Sequence, residues 1–177
     1  MWVFTYKLPG SYYIFAPRAP LIAEEGGYSW VNVQTGKRSR FEEYAAFTNI
    51  LLKRMIDWTT AQNVNPDKIN LIGFSQGAAL CYVMTLLNPN QIGRVACLSG
   101  FLPTLPENLI KPDSLSGKSF FIAHGCMDEM VPVEEARTAA EIVKEAGAKV
   151  IYCEDDVGHK LGLSCFNGLE NFFSSTV

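Results

Sequence analysis

The sequence predicts an α/β fold, a mostly parallel sheet with helices on both faces, and three observations carry that expectation. Short apolar runs rich in β-branched and aromatic residues alternate with longer segments of helical period. Those runs are apolar at nearly every position, as strands covered on both faces must be, instead of at every second one. At 177 residues the chain suits one domain and can bury a core unaided, so residues 1–177 are expected to form a single unit.

Strands are predicted over residues 12–15, 69–72, 94–98, 119–123 and 148–153. Between the first two, Phe41, Tyr44, Ala45, Thr48, Leu51, Leu52, Met55 and Ile56 recur at helical spacing, giving a helix over 41–61 with one stripe toward the sheet. Ser39 to Glu42 reads as its capping box. A second helix follows Ser75 over residues 76–87 and stops where Asn88-Pro89 cannot continue it. A third, 133–146, ends at Gly147, a natural left-handed terminator, and a last one covers about 164–173. Internal repeats and linkers are absent.

Composition narrows the function classes. A net charge of −3 with scattered charges offers no basic stripe for a phosphate backbone, which argues against nucleic acid. No run approaches the roughly 18 apolar residues that span a bilayer, and residues 1–6 lack the features of a secretory leader, so a soluble protein is expected. The cysteines, Cys81, Cys97, Cys126, Cys153 and Cys165, are odd in number and form no C-x-x-C pair. They read as buried thiols suited to a reducing cytoplasm, with no disulfide and no metal site.

The chemistry is concentrated in one turn. Ile69 to Ile72, then Gly73-Phe74-Ser75-Gln76-Gly77, then a helix is the strand, G-x-S-x-G and helix context of a nucleophilic serine. A Cβ at Gly73 or Gly77 is expected to collide with backbone as the chain passes itself. The helix start supplies free N–H groups for a developing oxyanion, and the backbone N–H of Gln76 is the first such donor. A serine hydroxyl needs a base, and the base needs a carboxylate to hold its tautomer. His159, in the loop after the last strand, is the candidate base, ahead of His124, which ends a strand and is expected to bond a neighbouring loop. Asp128, after the fourth strand, is the candidate acid, ahead of Asp155 and Asp156, which read as solvated loop charges. Cys126 lacks a helix start behind it and reads as packing.

With these residues in view, the sequence resembles the carboxylesterase/phospholipase family of α/β-hydrolases, a group of bacterial carboxylesterases, acyl-protein thioesterases and lysophospholipases. The resemblance covers nearly the whole chain. It rests on Tyr13-Ile14-Phe15-Ala16-Pro17-Arg18-Ala19-Pro20, Ser29-Trp30, Gly73 to Gly77, His124-Gly125 with Asp128 and Val131-Pro132, and Gly158-His159. It implies an α/β-hydrolase fold and a cofactor-free, metal-free hydrolase of short- to medium-chain esters or thioesters. Ser75, Asp128 and His159 then match the catalytic triad, Gln76 one oxyanion position, and Trp30 and Phe74 lie beside the substrate.

The resemblance also implies a reduced N-terminus. Family members carry, upstream of the match to Tyr13, an apolar strand and a His-Gly loop that gives a second oxyanion N–H. Here residues 1–8 correspond to the tail of the first helix, and no counterpart of that strand precedes them. Its loss leaves either a gap between the strands 12–15 and 69–72 or direct contact between them. Alternatives are residues 2–6 rearranged as a strand, completion by a second copy in a homodimer, or an incomplete start. The rival to the esterase is a catalytically weak or silent binding protein on the same fold.

Overall fold

The computed structural model describes residues 2–6, 8, 12–23, 26–32, 39–64 and 68–174. The chain opens with a 3-10 turn at Trp2–Phe4 and a small antiparallel ladder, β1 (Leu21–Ile22) and β2 (Tyr28–Ser29). Then come α1 (Phe41–Ala61), β3 (Ile69–Phe74), α2 (Gln76–Leu87), β4 (Ile92–Leu98), β5 (Ser119–Gly125), α3 (Val133–Glu145), β6 (Lys149–Asp155) and α4 (Leu163–Ser174). The main sheet has the order β3-β4-β5-β6, and every pairing in it is parallel. Four of the predicted strands and all four predicted helices are therefore present.

Alternation along the strands sorts the core into two layers. Val95, Cys97, Phe120 and Ile122 face α1, α2 and α3. Ala96, Leu98, Phe121 and Ala123 face α4 and Phe4. Phe120 and Phe121 are each 1% exposed, and complete burial of such a side chain contributes about 1.5–3 kcal/mol, so the centre of the sheet is the anchor of the fold. Gly147 adopts φ +92°, the left-handed conformation that ends α3.

Residues 12–15 depart from the prediction: they are not part of a strand. Tyr13 and Phe15 pack on Trp58 of α1, while the Tyr12 hydroxyl donates to Phe173 O of α4 at 3.3 Å. The side chains thus alternate between the two helix layers, as a strand's would, but no neighbouring strand takes up the main-chain groups. Between this segment and β3 lies a cavity of about 670 Å³. Of the expected alternatives the structure has the gap. The expectation that residues 2–6 form a strand also fails, since they hold the 3-10 turn and Phe4 stacks on Phe74.

Smaller corrections have local causes. The cap of α1 is one residue later than expected, because the Arg40 N–H donates to the Glu43 carboxylate at 2.7 Å. Ile56 is 41% exposed and lies off the buried stripe. The β1–β2 ladder carried too short a signal to read. Cys153 and Cys165 are joined in a disulfide between β6 and α4, contrary to the expectation of free buried thiols, and the argument for a reducing compartment lapses with it. Cys126 is exposed, not packed; its thiol donates to Glu154, which raises its pKa by stabilising the protonated sulfur. Among the described residues no helix is long and apolar enough to cross a membrane.

Candidate active site

Ser75 sits where β3 passes into α2, with φ 53° and ψ −120°, a conformation that a residue with a side chain adopts only under constraint. Three contacts supply the constraint. The Ser75 N–H donates to Leu98 O at 2.9 Å, tying the turn to the end of β4. A Cβ on Gly73 would strike the carbonyl of Gly77, so only glycine lets the chain cross itself there. On the other side, a Cβ on Gly100 would meet the Ala78 side chain. Gly77 does not behave as expected: a Cβ there would meet nothing within 4 Å.

The turn opens α2 with its N–H groups forward. Ala78 and Ala79 N–H both return to Ser75 O, at 2.9 and 3.3 Å, while the Gln76 N–H has no main-chain acceptor among the described residues. The side chain of Gln76 has a job that the sequence gave no sign of. Its Oε1 accepts from the Ser29 hydroxyl at 2.9 Å and the Trp30 N–H at 3.0 Å, pinning that loop beside Ser75.

Asp128 and His159 come together at the C-terminal edge of the sheet, though they are far apart in sequence. Asp128 follows β5 in a tight turn, and its Oδ1 accepts from the N–H groups of Met130 and Val131, both at 2.9 Å. Its Oδ2 accepts from His159 Nδ1 at 2.7 Å. Burial acts to raise the Asp128 pKa. The donors from Val131, His159 and Met130 outweigh it, and the carboxyl is held below its ordinary value, ionised at neutral pH. Because Nδ1 carries the shared hydrogen, Nε2 of the neutral ring is left bare to accept a proton.

The loop that carries His159 is fastened at several points. Asp155 is not a solvated charge, as expected, but accepts the Cys165 N–H at 2.9 Å at the start of α4. The Cys153–Cys165 disulfide links the two elements that flank the loop, and the Ser99 hydroxyl donates to Lys160 O at 3.3 Å. A Cβ on Gly125 would strike the carbonyls of Val157 and Gly158, so the loop lies directly on the end of β5. The His159 ring rests on Phe74, ring centroids 4.9 Å apart, which sets it beside Ser75 in the chain. Among the described residues the Ser75 hydroxyl makes no hydrogen bond to it; such contacts are often long in a free enzyme. His124 bonds the neighbouring loop, as expected, through Val131 O.

The 670 Å³ cavity reaches this turn. Trp30, Phe74, Ser75 and Gln76 line its mouth, and Leu51, Met55, Leu80 and Met84 its depth. Cys153, Asp155 and Cys165 are the one cluster of potential metal ligands among the described residues, but the two sulfurs are bonded to each other.

A turn of this shape, an acid and a base at one sheet edge are the frame of an acyl-transfer site, and the family model that matches residues 2–176 is that of phospholipase/carboxylesterase. The chain belongs to this family. A probable inactive carboxylesterase of Oryza sativa is 30% identical over 84% of this chain and 62% of its own length. The carboxylesterase SOBER1 of Arabidopsis thaliana is 33% identical over 64% of this chain and 49% of its own. The chain thus spans about half to three fifths of the length of these two relatives. Among solved structures, the Bacillus cereus carboxylesterase superposes with a TM-score of 0.76 at 18% identity, covering 88% of this chain and 72% of that one, a likeness of fold. Membership makes this a chain of α/β-hydrolase fold in the phospholipase/carboxylesterase family.

Proposed function

We propose that this chain is a serine esterase that hydrolyses short- to medium-chain carboxylic esters or thioesters through an acyl-enzyme on Ser75. The observation that carries the reading is the 2.7 Å hydrogen bond from His159 to Asp128, with the His159 ring resting on Phe74, the residue before a serine held at positive φ. Ser75 Oγ attacks the ester carbonyl as its proton passes to His159 Nε2, and Asp128 stabilises the imidazolium that results. The oxyanion meets the Gln76 N–H and the positive end of α2. Collapse expels the alcohol or thiol, which takes its proton from His159. Water, deprotonated by the same ring, then releases the acid and restores Ser75.

The apolar cavity between α1, α2 and β3 would take the acyl chain, with Trp30 and Phe74 at its entrance. No step calls on a metal or cofactor. The test is hydrolysis of p-nitrophenyl acetate and butyrate by the wild type beside Ser75→Ala, with both folds checked by circular dichroism. Turnover that vanishes in the variant supports the esterase.

The second reading is a weak or silent hydrolase that keeps the fold for binding. The sequence lacks the His-Gly loop that the family resemblance assigns to the second oxyanion donor, and loss of one donor costs on the order of a hundred- to a thousand-fold. The rice relative described as probably inactive points the same way. A folded wild type without turnover would favour this reading.

A further inference from the structure

The mechanism above leaves a buried histidine unused. His124, at the end of β5, is 1% exposed and lies against the carboxylate that holds the base. We infer that His124 is a positioning residue for Asp128, its single N–H fixing the turn that aims the carboxylate at His159; this rests on the esterase reading.

Two atoms face His124 Nε2: Val131 O at 2.8 Å and Asp128 Oδ2 at 3.3 Å. Both can only accept, so Nε2 carries the ring hydrogen. Nδ1 is buried without a hydrogen-bond partner, which leaves the ring anchored through Nε2 alone. Val131 is consequently gripped on both sides, its N–H by Asp128 Oδ1 at 2.9 Å and its carbonyl by His124. The Nε2 atom also lies 3.3 Å from Asp128 Oδ2, the oxygen that accepts from His159 at 2.7 Å, so the ring packs against the carboxylate while its hydrogen bond goes to Val131 O.

Among the described residues no other charged group competes for this N–H. Glu154 stands opposite His124 in the β5–β6 register, but its carboxylate is taken by Arg137, Tyr152 and Cys126. The side chains of His124 and Asp128 are both fully shielded from solvent, where a hydrogen bond is stronger than in water and an unmade one is costly. Without the His124 donor, the Val131 carbonyl loses its partner and the carboxylate is free to turn from His159.

Three variants separate positioning from packing. In His124→Gln the side-chain amide nitrogen reaches the place of Nε2; in His124→Asn it reaches only that of Nδ1; His124→Phe keeps the ring and has no donor. The Gln variant should retain most of the wild-type kcat on p-nitrophenyl butyrate. The Asn and Phe variants should lose about tenfold to a hundredfold, the cost of leaving a buried acceptor unpaired, with KM little changed. In proton NMR, the downfield resonance of the His159 Nδ1 hydrogen should persist in wild type and Gln and be lost in Asn and Phe.

Phe equal to or better than Gln would overturn the inference and make His124 a packing residue. Equal activity in Asn and Gln would overturn it as well. Should Phe not fold, the Asn and Gln pair decides by the same comparison. A wild type without Ser75-dependent turnover sinks the esterase reading separately, and the NMR comparison then decides for His124: loss of the resonance in Asn supports the role, and its persistence in every variant ends it.

Discussion

The chain from Ile69 to Ser174 and the chain ahead of α1 are held by different forces. In the later part, four strands exchange main-chain hydrogen bonds, and backbone passes so close to backbone that Gly73 and Gly125 admit no side chain. In the earlier part, residues 12–15 belong to no strand and pair with none among the described residues, and are held by aromatic contacts to Trp58 and a tyrosine hydrogen bond. An extended run of apolar residues is therefore not a strand until a neighbour accepts its main chain. The proposed acid, base and nucleophile all stand on the paired part, whereas one wall of the proposed acyl site stands on the part held by side chains. Chemistry would be rigid here and the pocket adaptable.

The largest expected effect tests whether all the chemistry belongs to the paired part. Ser75→Ala should lower ester turnover by about ten-thousandfold or more, read by chromogenic hydrolysis with unchanged circular dichroism. Next is Gly73→Ala, which drives a methyl group into the Gly77 carbonyl and should cost about 4 kcal/mol or more in urea unfolding, while Gly77→Ala should be neutral or slightly stabilising. A Gly73→Ala protein as stable as wild type would show that the turn is looser than described.

A third pair probes the contrast directly. Phe121→Ala, in the centre of the sheet, should cost about 3 kcal/mol, and Trp58→Ala, beneath the unpaired segment, about 1–2 kcal/mol, with KM for butyrate rising in the latter only. Equal costs would erase the distinction between the parts. The smallest effect concerns Glu154, which Arg137 and Tyr152 hold at a pKa of about 2 against an ordinary 4.5. Because the folded value is depressed, its contribution is present above about pH 4.5 and lost as the pH falls toward 2. Glu154→Gln should leave stability at neutral pH nearly unchanged, the group being exposed, and should flatten the acid decline in thermal melts at low salt.

What the sequence could disclose followed the same division. β3 to β6 were legible because strands covered on both faces are apolar throughout, and α1 because its buried stripe keeps one period over 21 residues. The turn that carries Ser75 was legible because a tight strand-to-helix turn imposes glycine at Gly73, and the meeting of His159 with Asp128 because few histidines exist to choose from. Residues 12–15 misled because their composition is that of a strand and only the partner is missing. The cysteine bridge was hidden because Cys153 and Cys165 meet through the packing of α4 on β6, which no spacing encodes. The Gln76 side chain was hidden for a similar reason, since it acts on a segment distant in sequence, whereas the His124 bond to the neighbouring loop was expected from its place at a strand end.

The open side of β3 bears on how copies of this protein meet in solution. Ser75 N–H points to β4, so by alternation the main-chain groups of Ile72 and Phe74 are turned away from the sheet and toward the cavity. A bare strand edge ordinarily templates pairing with another chain and so seeds aggregation. Here Tyr12, Ile14 and Ala16 close the cavity over that edge, between α1 on one side and Phe173 on the other. An incoming strand would first have to displace this cover, so the aromatic contacts to Trp58 would hinder edge-to-edge pairing as well as form a wall of the proposed acyl site.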